Sequence, residues 1–116
     1  LLLADDYKEL SIISSELKKY NYEVTSVMYG DDAIKKLSGE EKFDILLIDD
    51  EMIGSSAVTL IKKIDELKLN NLVKIIMLNK DKEFIKQNYI DNYSFADFLL
   101  KNDYKKEIKR IKETYK

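Results

Sequence analysis

The stretch FDILLIDDEM, residues 43–52, packs five apolar side chains into six positions, Phe43 and then Ile45 to Ile48, before running into Asp49, Asp50 and Glu51. A short, unbroken apolar run is what a strand covered on both faces looks like, because neither face meets water. Three adjacent acids do not belong in such an interior, so they mark the place where the strand leaves the sheet. Four more runs of strand length, at 1–4, 24–28, 72–78 and 95–100, are also mostly apolar. Between them, Leu10, Ile13 and Leu17 recur at helical spacing. So do Leu60, Ile64 and Leu67, and later Tyr104, Ile108, Ile111 and Tyr115, each set forming one apolar stripe. Asp6 followed by Glu9 has the form of a capping box, and Ser55 or Ser56 is placed to cap a helix starting near Ala57.

Strand and helix therefore alternate five times. That pattern predicts an α/β fold: a five-stranded parallel sheet with right-handed crossovers and helices on both faces, a three-layer sandwich. In open sheets of this kind, ligands bind at the carboxyl ends of the strands, near the point where strand order reverses. The residues that follow each apolar run are therefore the ones that carry chemistry.

Composition narrows that chemistry. The 116 residues suit a single domain over 1–116 with a core of its own, and 45% hydrophobic residues are too many for a disordered segment. No apolar run reaches the length of a membrane span. The formal net charge is -2, from 20 basic and 22 acidic residues, so no global field favours nucleic acid or an anionic membrane. The basic residues of the last helix, Lys105, Lys106, Lys109, Arg110 and Lys112, read as its solvated face. There is no Cys and no His, which removes disulfides, thiolate nucleophiles, zinc sites and imidazole acid-base chemistry. Carboxylates, hydroxyls, Lys and a hard cation remain. The opening residues, LLLADD, carry no positively charged n-region and read as a strand rather than a signal peptide, so the chain is expected to be a domain cut from a longer protein.

Asp5 and Asp6 follow the first run, Asp49, Asp50 and Glu51 the third, Asn79 and Lys80 the fourth, and Lys101 the fifth. Carboxylates converging on one edge repel one another unless a cation sits among them. Mg²⁺ suits a few carboxylate oxygens together with water and phosphate oxygens. An Asp beside such a metal and an ammonium group can act as a nucleophile towards phosphorus, since both cations neutralise charge on the transferring group. Each residue also has a plainer explanation. Asp5 and Asp6 can simply cap a helix, the acid run can be a solvated loop, and a single aromatic on a strand is usually core. It is their coincidence on one edge that points to a site.

In this ordered set the sequence resembles a receiver domain, the phosphoryl-accepting module of two-component response regulators and hybrid histidine kinases. The resemblance spans essentially the whole chain. It rests on Asp5 and Asp6 after the first strand, on FDILLIDDEM, on the Lys that ends FADFLLK, and on YGDDAIKKL in the place of the family's G-x-E-A-L helix. It implies a flavodoxin-like, doubly wound (βα)5 fold and a cytoplasmic phosphorelay component. Asp49, rather than Asp50, would be the phosphoacceptor, since Asp44, Asp49 and Met52 all match the family's pattern. Asp6 and Asp49 would ligate Mg²⁺ with the backbone carbonyl of Glu51, Asp5 would support the metal through water, and Lys101 would pair with Asp5 or with phosphoryl oxygens. Phe98 stands at the switch aromatic. The implied partners are a histidine kinase or phosphotransfer domain and a downstream output domain or protein, with no direct nucleic-acid or membrane contact. A homodimer face is implied on the fourth helix, fifth strand and fifth helix.

Several positions depart from the family. Asn79 replaces the Thr or Ser that ends the fourth strand, and Lys80 replaces a small residue. Ile53 and Asn102 replace prolines, and Ala57 replaces a Gly. The peptide after Lys101, cis in the family, is expected to be trans, since a non-proline cis bond costs about 3 kcal/mol. These changes support an alternative, a degenerate receiver that acts as an interaction or dimerisation module without phosphorylation. An aspartate-nucleophile phosphohydrolase fits poorly, because the acid run follows the third strand and there is no room for a cap domain.

Overall fold

A computed structural model of the chain describes residues 1–52, 55–79 and 93–115, with backbone alone at 51, 52, 55 and 56. Lys80, Ile53 and the fourth helix of the expected dimer face fall outside the described residues.

The five expected strands are present as β1 (Leu2–Leu3), β2 (Ser26–Val27), β3 (Ile45–Asp49), β6 (Val73–Leu78) and β7 (Asp97–Leu100). All pair in parallel, in the order β2-β1-β3-β6-β7. A short antiparallel hairpin, β4 (Glu51–Met52) and β5 (Ser55–Ser56), intervenes before the third helix. The helices are α1 (Tyr7–Lys18), α2 (Gly30–Ser38), α3 (Ala57–Glu66) and α4 (Tyr104–Thr114), with one 3-10 turn, Lys101–Asp103, leading into α4. Ser55 and Ser56 belong to the hairpin strand, directly ahead of Ala57.

Alternation along each strand divides the core into two layers. Leu1, Leu3, Leu46, Ile48, Ile76, Leu78 and Phe98 pack with α2 and α3 residues such as Ala33, Leu37, Leu60, Ile61 and Ile64. Leu2, Ala4, Leu47, Ile75, Met77 and Leu99 pack with Leu10, Ile13 and Leu17 of α1 and Ile108 and Ile111 of α4. Leu3, Leu46, Ile48, Ile75, Ile76, Met77, Leu78 and Leu99 are fully enclosed, and each contributes about 1.5–3 kcal/mol by leaving water. Helices therefore cover both faces, as the unbroken apolar runs require.

Gly30, the first residue of α2, allows the close approach of α2 to α3. A Cβ at this position would run into Leu60 Cδ2 and stand 3.0 Å from Cδ1 of the same buried side chain. No peptide bond among the described residues is cis, so the bond after Lys101 is trans as expected.

One expectation about the last helix needs correction. Lys105, Lys106 and Lys109 are exposed, but Arg110 and Lys112 are half-buried. Arg110 donates from Nη1 and Nη2 to the Asp97 carboxylate at 2.9 and 3.2 Å, from Nε to Glu107 Oε2 at 2.8 Å, and from Nη2 to the Phe98 carbonyl at 2.7 Å. Glu107 Oε1 accepts from Leu100 N at 3.3 Å. β7 is the outer strand of its side of the sheet, so α4 side chains satisfy outward main-chain groups that an edge strand otherwise exposes. Partial burial opposes the Arg110 charge, but Asp97 and Glu107 outweigh it and hold the guanidinium above its usual value. Lys112 lies over the Tyr22 ring, 4.5 Å from its centre.

Candidate functional site

Strand order reverses at β1. The chain crosses from β1 to β2 on one side and then to β3 on the other, which opens a crevice beyond the carboxyl ends of β1 and β3. Asp49 is the last residue of β3, opposite Met77 of β6, and the ladder continues one residue further through Asp50 N to the Met77 carbonyl at 2.9 Å. Asp49 is only 2% exposed. It has the parity of Ile45 and Leu47, which places it on the α1 side of the sheet.

A buried carboxylate needs a partner, and the next strands supply one. β6 and β7 pair as far as Leu78 with Leu100, so Asn79 and Lys101 leave the sheet at the same level. Asn79 is exposed, whereas Lys101 turns inward and places Nζ 2.5 Å from Asp49 Oδ1. The same ammonium lies 3.0 Å from Glu9 Oε1. Burial works against the Lys101 charge, but hydrogen bonds with Asp49 and Glu9 more than offset it and hold its pKa above the usual value. Glu9 shows the reverse balance. Burial and the neighbouring Asp49 raise its carboxyl pKa despite the nearby Lys101.

Glu9 is the residue that sequence reasoning missed. It was legible only as the second half of a capping box, and only the first half forms. Asp6 is the N-cap of α1, and its Oδ1 accepts from Lys8 N at 2.9 Å and Glu9 N at 3.3 Å. Glu9 instead points along the inner side of α1, one turn ahead of Ile13, to meet Lys101. A carboxylate in the first turn, on the same stripe as buried Ile13, was the available signal.

Asp5 is half-buried and Asp6 exposed, both at the end of β1 beside the end of β3. Asp5, Asp6 and Asp49 are hard oxygen donors from adjacent strand ends, a set whose chemistry fits Mg²⁺. As arranged, no group of three acids among the described residues is close enough to hold a metal ion. Lys101 supplies the neutralising charge at Asp49 in this state. Glu51 follows directly in β4, opposite Ser56. Phe98 is 6% exposed and packs in the α2–α3 layer, with the Arg110 guanidinium 5.8 Å from its ring centre. Among the described residues no helix is long and apolar enough to cross a membrane.

Comparison with known proteins agrees with the fold. No curated protein sequence matches the chain. The chemotaxis response regulator CheY4 of Vibrio cholerae shares the fold with a TM-score of 0.81 at 16% identity, covering 99% of this chain and 95% of that one. The N-terminal domain of a response regulator/sensory box/GGDEF three-domain protein from Carboxydothermus hydrogenoformans gives 0.81 at 21% identity, covering 98% and 90%. The receiver domain of a sensor histidine kinase from Pseudomonas aeruginosa, described with a magnesium ion coordinated in its active site cleft, gives 0.78 at 19%, covering 98% and 93%. The family described as the response regulator receiver domain matches residues 1–112. The chain therefore belongs to the response regulator receiver domain family.

Proposed function

We propose that this receiver accepts a phosphoryl group on Asp49 and passes the change in charge to a downstream output. The observation that carries the reading is the Lys101–Asp49 ion pair at 2.5 Å, at the end of a buried strand and at the point where strand order reverses. A carboxylate oxygen of Asp49 attacks phosphorus while the bond to the donor breaks, its electron pair leaving on an imidazole nitrogen of a kinase or phosphotransfer domain. Lys101 neutralises charge on the transferring group, so the work of the site is mostly positioning and electrostatics. Asn79, level with Lys101, donates its amide hydrogens in place of the family's hydroxyl.

Receiver domains generally use Mg²⁺, and when bound it supplies charge neutralisation at the phosphoryl oxygens. Asp6, Asp49 and the Glu51 carbonyl would hold it here, with Asp5 in support through water. The likeness to receivers from a sensor histidine kinase and from a multidomain regulator supports a cytoplasmic phosphorelay in which this domain serves a larger protein. Phe98, packed beneath the end of β7, would relay the change to the β7–α4 surface.

Exposed Asn79 in place of a hydroxyl favours a second reading, an interaction module that works without phosphate. Titration with beryllofluoride and Mg²⁺, followed by amide NMR, separates the two. The first reading predicts shifts around Asp49, Asn79, Phe98 and Lys101 that Asp49→Asn abolishes. A spectrum that does not respond, with partner binding unchanged in Asp49→Ala, selects the second.

A further inference from the structure

Lys101 holds two carboxylates, and only one of them is the acceptor. Glu9 Oε1 lies 3.0 Å from Nζ, and the Glu9 side chain is 25% exposed against 10% for Lys101. Oε1 is a buried atom set against the Lys101 ammonium, whose charge fixes its place. Glu9 belongs to the first turn of α1, which Asp6 fixes through two hydrogen bonds to the main chain. It is therefore a carboxylate held beside Asp49 by a capped helix and a buried ammonium.

A phosphoryl group arriving at Asp49 brings further negative charge and needs Lys101 for its own oxygens. It meets Glu9 already there. We infer that Glu9 is a positioning residue that occupies Lys101 in the resting domain and opposes phosphoryl entry, so that modification of Asp49 requires Glu9 to be displaced from the ammonium. This rests on the phosphoryl-acceptor reading and adds to it a brake built from this chain's own residues.

The direction of the effect distinguishes a brake from a support. If Glu9 only steadied Lys101, its neutral isostere would loosen the ammonium and slow modification. As a brake, its loss speeds modification. The test is a time course with acetyl phosphate at saturating Mg²⁺, read by intact mass, for the parent, Glu9→Gln, Glu9→Asp and Glu9→Ala, with Asp49→Asn as blank. Asp49 forms its bond to phosphorus as the bond to acetate breaks, and acetate carries away the electron pair. Glu9→Gln is expected to react about tenfold faster, the order set by one carboxylate a few ångströms away in a partly exposed site. Glu9→Ala should also be fast, and Glu9→Asp, which keeps the charge, should remain slow. An equilibrium titration with beryllofluoride should show tighter binding by Glu9→Gln in the same proportion. Equal or slower modification of both Glu9→Gln and Glu9→Ala overturns the inference. If neither they nor the parent accept phosphate, the acceptor reading itself falls, and the inference with it.

Discussion

Replacing Lys101 by Met removes the ammonium that lies between the Asp49 and Glu9 carboxylates. Asp49 has 3% of its side chain exposed and Glu9 25%, so Lys101→Met leaves a deeply buried anion beside a second acid. Breaking a buried pair in this way costs about 3–5 kcal/mol. The lower end applies here, because Glu9 retains some contact with water and its carboxyl is already raised by burial and by Asp49, so it can take a proton. A loss of about 3 kcal/mol corresponds to a fall in Tm of roughly 10 °C for a domain of this size. Asp49→Asn behaves differently, since it leaves Lys101 and Glu9 as a balanced pair, and stability should stay within about 1 kcal/mol of the parent. The double variant should then be more stable than Lys101→Met alone, with a coupling of about 2 kcal/mol between the sites. Because the Lys101 pKa is raised, its contribution is complete below pH 10.5 and disappears as pH rises through the folded value, so the gap between parent and variant should close there. Urea unfolding followed by far-UV circular dichroism measures all four proteins. The reasoning is refuted if Lys101→Met matches the parent at neutral pH, or if Asp49→Asn is as damaging as Lys101→Met.

Three other expectations follow from the packing. Arg110→Met should lower stability by about 3 kcal/mol by chemical denaturation, since it strands Asp97 and Glu107, at 8% and 5% exposure; Arg110→Lys should recover little, because Lys lacks the planar fork that spans both acids and the Phe98 carbonyl. Gly30→Ala should cost about 1–2 kcal/mol in the same assay despite the better helix propensity of Ala, because its Cβ forces buried Leu60 to move. Burial opposes the Asp65 charge, but Lys74 Nζ at 2.7 Å and Ser94 Oγ at 2.7 Å hold its carboxyl below the usual range. Its contribution is thus present above pH 3.8 and lost as pH falls through the folded value. Asp65 is 40% exposed, so the difference between parent and Asp65→Asn in pH-dependent thermal unfolding should stay under about 1 kcal/mol and vanish at the acid end.

The strands could be read because each apolar run is covered on both faces, and their ends fell within a few residues of the pairing seen. β1 and β2 are shorter than their runs because only Leu2–Leu3 and Ser26–Val27 enter the ladder. The β4–β5 hairpin could not be read: Glu51–Met52 and Ser55–Ser56 are too short to show periodicity. Asp49, Asn79 and Lys101 could be placed at one edge because strand ends in a parallel sheet share a level. Asp6 as an N-cap was also legible, since capping is local in sequence. Glu9 and Arg110 were not: Glu9 reads as half of a capping box and Arg110 as solvated helix face, and their partners, Lys101 and Asp97, lie on other elements. Local pattern tells which face a helix buries but not which charged residue at the margin is drawn inward by a distant ion.

The Lys101 ammonium lies between two carboxylates, Asp49 at the end of β3 and Glu9 in the first turn of α1. The donors of the site suit a hard cation, and the proposed acceptor, Asp49, is the buried last residue of β3. Incubation with acetyl phosphate and Mg²⁺, followed by intact mass and peptide mapping, tests the central claim most directly. The account predicts that one phosphoryl group is gained on the peptide containing residues 43–52 and that Asp49→Asn gains none. A parent that takes up no phosphate, or an Asp49→Asn variant that takes it up equally, would contradict it.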